Sequence, residues 1–309
     1  MSHPDLRGIV SPILTPFNDD GTIATRLYID HALASLEAGV HYLSPFGTTG
    51  EAVACGMSER MEMLERLVDA GIPPDRLMPG TGLCALPDTV LLTRHAADLG
   101  CAAAMVLPPF YYPHSEDGLY TYFARLIEAV QADRLRLCMY HIPKMTGVAI
   151  SPALTARLNA AFPETVVAYK DSDGDWTNTK AVIDAAPGVS VFPASEVHLV
   201  QGIGAGAAGC ISATCNSNPS VIRAYWDARQ HGDEDRAEAL RPGMEAHRQA
   251  VQAAGFIPAL KAMMATATGE ARWLNTRPPM DDADPALGQR LVDQLGWSWP
   301  PEDPRQPRT

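Results

Sequence analysis

The stretch RLCMYHIPKMTGVAISPALTARLNAAFPETVVAYK, residues 136–170, contains two apolar runs that are separated by a segment of helical character. The runs, residues 136–142 and 166–170, have the length of buried strands. Between them, Ser151 and Pro152 form a favourable N-cap and first-turn pair for a helix. A strand, a helix and a second strand in this order predict a parallel βαβ unit.

The same alternation recurs along the chain. Eight apolar runs alternate with stretches of helical periodicity, which favours an α/β fold of the (β/α)8 TIM-barrel type over an open doubly wound sheet. The runs are residues 8–14, 41–47, 77–82, 102–108, 136–142, 166–170, 189–193 and 208–214. We therefore predict a barrel over residues 1–218, C-terminal helices packed on the barrel over residues 219–296, and a proline-rich tail over residues 297–309.

The composition is that of a globular protein. Hydrophobic residues make up 46% of the 309 residues and charged residues 19%, which is too apolar for a disordered chain. The formal net charge of −12 argues against nucleic acid or an anionic membrane as a partner. The sequence shows no signal-peptide pattern, no apolar run of the roughly 18 residues that span a bilayer, and no Cys-x-x-Cys pair. We expect reduced thiols and a cytoplasmic location.

Polar side chains end or follow most of the apolar runs. They are Thr48, Thr49, Tyr111, Tyr140, Lys170, Ser195 and Thr214. Barrel enzymes carry their catalytic groups at the C-terminal ends of the strands. The shared position of these side chains therefore predicts an active site.

Lys170 is the most informative of these residues. The chain has only four lysines, and Lys170 alone ends an apolar strand. A lysine that is desolvated in a barrel mouth is shifted toward its neutral, nucleophilic form, which condenses with a ketone to give an electron-accepting iminium. The alternative is a lysine that reaches solvent or pairs with Asp171. Tyr140 and the threonine pair favour the catalytic interpretation.

Tyr140 and the turn at residues 47–51 supply complementary chemistry. A tyrosine on a neighbouring strand can move protons at the substrate if neighbouring hydroxyl groups assist it. The turn, Gly47-Thr48-Thr49-Gly50-Glu51, offers backbone N–H groups and two hydroxyl groups to a carboxylate. A buried structural tyrosine and an ordinary strand-to-helix turn are the alternatives.

Together these residues resemble the dihydrodipicolinate synthase / N-acetylneuraminate lyase family of pyruvate-dependent class I aldolases and synthases. The resemblance covers residues 8–269, and the order and spacing of its motifs are specific. The motifs are Gly47-Thr48-Thr49-Gly50-Glu51, Pro109-Phe110-Tyr111-Tyr112-Pro113, Tyr140-His141-Ile142-Pro143 with Thr146-Gly147, Lys170-Asp171-Ser172 and Gly209-Cys210-Ile211-Ser212.

The resemblance implies catalytic roles for four residues. Lys170 is similar to the Schiff-base lysine of the family, and Tyr140 to its proton shuttle. Thr48 is similar to the relay hydroxyl between Tyr140 and Tyr111, and Tyr111 would reach in from a neighbouring subunit. A shared tyrosine implies a dimer pair, which in this family is usually arranged as a homotetramer, a dimer of dimers.

The resemblance also implies substrate contacts. Thr48 and Thr49, with the backbone of the turn up to Gly50, would hold the pyruvate carboxylate, and the Ile211 carbonyl would face the imine. Ser195 and Glu196 follow the seventh predicted strand, where aldolase members contact substrate hydroxyls, although Glu196 could instead simply begin a helix.

Several positions depart from the family pattern. Met145 stands where synthase members carry an arginine that binds a carboxylated aldehyde, which argues against dihydrodipicolinate synthase itself. Thr48 stands where N-acetylneuraminate lyases usually have serine, and residues 110–113 are more similar to the 2-keto-3-deoxy sugar acid aldolase branches.

We therefore predict a lyase that cleaves, or dehydrates, a 2-oxo-3-deoxy acid through a Lys170 iminium, with pyruvate as the keto component. No metal and no organic cofactor is expected, because the protonated imine is the electron sink. The alternatives are dihydrodipicolinate synthase, a non-catalytic protein that binds a 2-oxo acid, and a metal-dependent barrel lyase.

Overall fold

The computed structural model describes residues 6–132 and 134–300, in which strands and helices alternate as predicted. The strands are β1 (Gly8–Ser11), β2 (Tyr42–Leu43), β3 (Ala104–Val106), β4 (Leu137–His141), β5 (Val166–Asp171), β6 (Ser190–Pro193) and β7 (Gly209–Ile211). The helices are α1 (Thr25–Glu37), α2 (Met57–Asp69), α3 (Leu86–Asp98), α4 (Glu116–Val130), α5 (Pro143–Thr146), α6 (Pro152–Ala161), α7 (Trp176–Ala185), α8 (Leu199–Ala205), α9 (Pro219–Gln230), α10 (Glu234–Ala253), α11 (Phe256–Thr268) and α12 (Pro285–Leu295). Residues 301–309 of the predicted tail lie outside the described part of the chain.

The described residues divide into two compact units. The first unit comprises residues 6–8 and 60–211, and the second comprises residues 9–59 and 212–300. In the first unit, β3, β4, β5 and β6 pair in that order, all in parallel. The predicted helix between β4 and β5 is α6, and its predicted N-cap is confirmed, because Ser151 Oγ accepts a hydrogen bond from the Leu154 N–H at 3.0 Å.

The third predicted strand, residues 77–82, has the hydrogen bonds of a strand but not its regularity. The Ala102 N–H donates to the Leu77 carbonyl, and the Met105 N–H donates to the Pro79 carbonyl. Only an isolated parallel bridge between Gly80 and Met105 forms. Proline lacks an N–H donor, so Pro79 interrupts the ladder at the centre of the segment.

The second unit contains the paired strands β1 and β2, with Val10 opposite Tyr42 and Ser11 opposite Leu43. Its core lies around α11 and gathers nine buried residues. They are Leu14, Val251, Ala259, Leu260, Met263, Met264, Ala265, Trp273 and Leu291. The predicted C-terminal helices thus bury an apolar core.

In residues 6–132 and 134–300, no single α-helix has both the length and the hydropathy required to cross a bilayer; α10 and α11, bent by 108° at their junction, meet these criteria only as a pair.

Asn216 fixes the segment that follows β1. Its side-chain oxygen accepts hydrogen bonds from the Leu14 N–H at 3.0 Å and from His31 Nε2 at 2.8 Å, and its amide donates to the Pro12 carbonyl at 2.9 Å. His31 therefore carries its proton on Nε2. The imidazole is buried, and burial lowers its pKa to about 4, although the Asn216 hydrogen bond opposes that shift.

We expect His31 to make the protein less stable in acid. Between pH 6.5 and pH 4 the unfolded imidazole binds a proton that the folded one does not, so the free energy of unfolding falls as the pH falls. A shift from 6.5 to about 4 corresponds to about 3 kcal/mol over that window. His31→Gln removes this titration, and equilibrium urea unfolding should show the variant gaining stability relative to the wild type as the pH falls. Parallel stability profiles for the two proteins would contradict the assignment.

Candidate active site

The strands β4 and β5 place Tyr140 and Lys170 side by side. The two residues are direct partners in the parallel register, and the Lys170 Nζ lies 4.0 Å from the centroid of the Tyr140 ring. Both residues are buried: Lys170 is 4% exposed and Tyr140 is 3% exposed. The structure therefore brings together the amine and the phenol that the sequence selects.

A strand irregularity produces this register. Leu137 pairs with Val166, but the next residue, Cys138, pairs with Ala168. Continued without the shift, the ladder would place Tyr140 opposite Tyr169 instead of Lys170. Because successive strand residues point to opposite faces, a slip of one residue would separate the phenol from the amine.

Lys170 neither reaches solvent nor pairs with Asp171. The Asp171 carboxylate instead accepts hydrogen bonds from the Asp173 N–H at 3.0 Å, from Asn178 Nδ2 at 2.8 Å and from Thr179 Oγ1 at 2.8 Å. Adjacent residues of a strand point to opposite faces, which explains why Asp171 binds the loop and helix after β5. The structural alternative for Lys170 is therefore not adopted.

Cys138 lies near Lys170 in the interior. Its thiol is buried, and burial raises its pKa to about 12, although the charge of Lys170 opposes the increase. The thiol is therefore protonated at neutral pH and is a poor nucleophile. Lys170 is the stronger nucleophile of this pair whenever its amine is neutral.

His141 connects β4 to the loop that follows it. Its Nδ1 accepts a hydrogen bond from the Ile150 N–H at 3.0 Å, and its Nε2 lies 4.0 Å from Asp171 Oδ1. Burial lowers the pKa of His141, while Asp171 and Asp173 oppose the shift. A neutral ring suits this geometry, because protonation of Nδ1 would break the bond to Ile150. The sequence places His141 in a family motif but gives no indication of this role.

Two other predicted residues follow β6, and a third ends β7. Ser195 comes two residues after the end of β6 and caps the short 3-10 helix Glu196–His198, accepting a hydrogen bond from the Val197 N–H at 3.3 Å. Glu196 is fully buried. Ile211 is the last residue of β7 and is also buried.

Met145 and Tyr111 lie on the surface. Met145 is 72% exposed in α5, where its neighbour Lys144 donates a hydrogen bond to the Asp173 carbonyl at 2.5 Å. Tyr111 is 86% exposed, has a φ of 89°, and packs edge-on against Tyr112 at a centroid distance of 5.2 Å. Within this chain Tyr111 therefore lies in solvent.

The threonine turn belongs to the second unit. The Gly50 and Ala52 N–H groups both donate to the Gly47 carbonyl, at 3.1 and 3.2 Å. Thr15 Oγ1 donates to the Gly50 carbonyl at 2.7 Å, and a Cβ on Gly50 would lie 2.7 Å from the Ile13 carbonyl oxygen. Only glycine fits there. Thr48 is partly buried and Thr49 is nearly buried, with 9% exposed.

Sequence reasoning missed one charged pair that holds this turn. Glu51 is buried against Lys261 of α11, and neither side chain is exposed. The available signal was Lys261 itself, a lysine inside the apolar helix sequence FIPALKAMMATAT. A charge in such a helix is rarely buried without a partner.

Comparison with known proteins identifies the family of this chain. The model of the dihydrodipicolinate synthetase family matches residues 5–295. An uncharacterised DapA-like lyase of Chloroflexus aurantiacus is 36% identical over 85% of this chain and 87% of its own. A 4-hydroxy-tetrahydrodipicolinate synthase of Thermus thermophilus is 32% identical over 92% of this chain and 94% of its own.

A solved structure has the same fold. The dihydrodipicolinate synthase of Agrobacterium tumefaciens matches with a TM-score of 0.84 and 28% identity over 93% of this chain and 99% of its own. The predicted α/β fold, a (β/α)8 barrel with C-terminal helices, is thereby confirmed. This chain belongs to the dihydrodipicolinate synthetase family.

Proposed function

We propose that this protein is a class I lyase that cleaves, or dehydrates, a 2-oxo-3-deoxy acid through an iminium on Lys170. The observation that carries the proposal is the buried Lys170 amine, 4.0 Å from the ring of Tyr140, in a chain of this family. The amine is the nucleophile that condenses with a ketone, and the adjacent phenol can exchange protons with the bound substrate.

The proposed reaction needs only side-chain chemistry. The Lys170 amine attacks the C2 ketone, and the Tyr140 phenol gives its proton to the departing hydroxyl group, which leaves as water and produces the iminium. The resulting Tyr140 phenolate removes the proton of the C4 hydroxyl, the C3–C4 bond breaks to release an aldehyde, and the electron pair forms an enamine. Protonation at C3 and hydrolysis then release pyruvate and restore the amine. The iminium accepts the electron pair, so the route requires no metal and no organic cofactor.

The remaining assignments extend the family pattern. Thr48 relays protons to Tyr140, while the turn through Thr49 and Gly50 holds the carboxylate of the 2-oxo acid. The Ile211 carbonyl faces the imine. Tyr111 completes the relay of a partner subunit in a dimer of dimers, and its 86% exposure in one chain leaves it available for that contact.

The aldehyde half of the substrate is proposed to be hydroxylated and uncharged. Ser195 and Glu196 follow β6, and the family resemblance assigns to them the contacts with the substrate hydroxyls. Met145 provides no cation for a carboxylate, and Lys144 beside it binds Asp173.

Dihydrodipicolinate synthase is the second candidate, because the Thermus thermophilus relative bears that activity's name at 32% identity. Condensation of pyruvate with aspartate semialdehyde at a rate comparable to the best cleavage reaction would favour it over our proposal.

The direct test is a panel of 2-oxo-3-deoxy acids, with released pyruvate and dehydrated product measured separately. We expect turnover of at least one hydroxylated member, unchanged after treatment with a chelator. Absence of turnover with every member and with aspartate semialdehyde would favour a 2-oxo acid binding protein, and loss of activity on chelation would favour a metal-dependent lyase. We also propose that the enzyme acts in the cytoplasm, where cysteines such as these remain reduced thiols.

A further inference from the structure

A buried ion pair joins the threonine turn to the C-terminal helices. The Lys261 Nζ contacts Glu51 Oε1, and both side chains are shielded from solvent. Lys261 also donates to the Asn275 carbonyl at 2.6 Å, and the Arg277 N–H donates to Glu51 Oε2 at 3.1 Å. Burial lowers the pKa of Lys261, whereas Glu51 opposes this shift. The Glu51 carboxylate is thus held on both of its oxygens by the C-terminal segment.

The backbone of Glu51 needs such support. Its φ of 56° and ψ of 35° lie in the left-handed region, which a residue with a side chain occupies only when its surroundings hold it there. The Glu51 N–H donates to the Thr48 carbonyl at 3.1 Å. The ion pair stabilises this conformation of Glu51, and the Glu51 N–H in turn fixes the carbonyl group of Thr48.

Arg277 fixes the segment that follows the turn. Its guanidinium donates to the Ala54 carbonyl at 2.8 Å and to both oxygens of Glu59, at 2.5 and 2.8 Å. The Phe17 ring faces two cations, since Arg277 Cζ and Lys261 Nζ each lie 4.6 Å from its centroid. Lys261 and Arg277 thus hold the turn at Glu51, and Arg277 also holds the chain after the turn, at Ala54 and Glu59.

We propose that Glu51 and Lys261 are positioning residues for the 2-oxo acid: they orient the Thr48-Thr49 turn and thereby set its affinity for the substrate carboxylate. This inference rests on the proposed function of that turn. Hydrogen bonds to a carboxylate weaken steeply when their donors rotate, so a relaxed turn binds the 2-oxo acid less well. Lys261 is not the nucleophile, because its ammonium is engaged by Glu51 and Asn275.

The test uses the full-length protein and pyruvate as the probe. The variants are Lys261→Met and Glu51→Gln, each studied at a temperature where circular dichroism shows it to be folded. The readout is the pyruvate concentration that half-saturates borohydride trapping on Lys170, together with kcat and KM for the best substrate. We expect the half-saturating concentration to rise at least tenfold and KM to change more than kcat.

The matched control is Asp227→Asn, which breaks the Arg223–Asp227 ion pair of α9 in the same unit. We expect it to leave the half-saturating concentration unchanged. Suppose that borohydride traps pyruvate on Lys170 of the wild-type protein, and that both ion-pair variants are half-saturated at the same pyruvate concentration as the wild type. This inference then fails while the proposed function stands. If wild-type protein is not trapped at all, the proposed function fails first. If Lys261→Met does not fold, the test is made with Glu51→Gln alone. The amide oxygen of the new glutamine can still accept the hydrogen bond from the Arg277 N–H.

Discussion

Lys170→Ala is expected to lower kcat by about 10⁴-fold or more, which corresponds to at least about 5 kcal/mol of lost transition-state stabilisation. The amine provides the covalent route, and no neighbouring group replaces it: the Cys138 thiol has a pKa of about 12 and stays protonated. Lys170→Arg is expected to be equally inactive, because a guanidinium is always protonated and does not condense with a ketone. Steady-state kinetics with the best substrate of the panel measures both effects.

Lys180→Ala is the matched control for this result. Lys180 is an exposed lysine that pairs with Asp184 four residues later on α7. Its removal is expected to change stability by less than about 0.5 kcal/mol and kcat hardly at all. Substantial turnover by a pure Lys170→Ala preparation would refute the iminium mechanism.

Tyr140→Phe is expected to lower kcat by about 10²- to 10³-fold with little change in the binding of pyruvate. Phenylalanine keeps the ring beside the Lys170 amine and removes only the hydroxyl that moves protons. The variant should therefore still form the borohydride-reducible adduct but turn over slowly. Single-turnover kinetics and adduct formation, measured on the same preparation, separate the two steps.

Tyr169→Phe controls for the loss of a buried tyrosine hydroxyl. Tyr169 lies on β5 beside Lys170, and its hydroxyl donates to the Ile150 carbonyl at 2.8 Å. We expect its removal to cost about 1 kcal/mol of stability and to leave kcat within a few-fold of wild type. Equal losses of kcat in the two variants would mean that the Tyr140 hydroxyl has no special catalytic role.

The sequence predicts the pair of Lys170 and Tyr140 because the ends of buried strands can be recognised from the pattern of apolar residues. Lys170 is a rare lysine at the end of an apolar run, and Tyr140 occupies the corresponding place one strand earlier. Their contact, however, depends on the register shift between Leu137 and Cys138. Strand pairing is set by contacts between distant segments, so neither run reveals this shift by itself.

Other features escape prediction for a similar reason. The segment at residues 77–82 has a strand-like composition, but Pro79 reduces it to an isolated bridge. The Glu51–Lys261 pair joins two segments that are far apart in sequence. Local patterns identify Lys261 as an unusual residue in an apolar helix, whereas only tertiary packing identifies the residue that neutralises it.

We propose that Lys170 forms the covalent bond with the 2-oxo acid. Incubation of the wild-type protein with pyruvate and borohydride, followed by proteolysis and mass mapping of peptides, tests it most directly. We predict one pyruvate-dependent adduct, on Lys170, that persists in Tyr140→Phe and is absent from Lys170→Ala. An adduct on Lys261 or on another lysine, or no adduct at saturating pyruvate, would contradict the account.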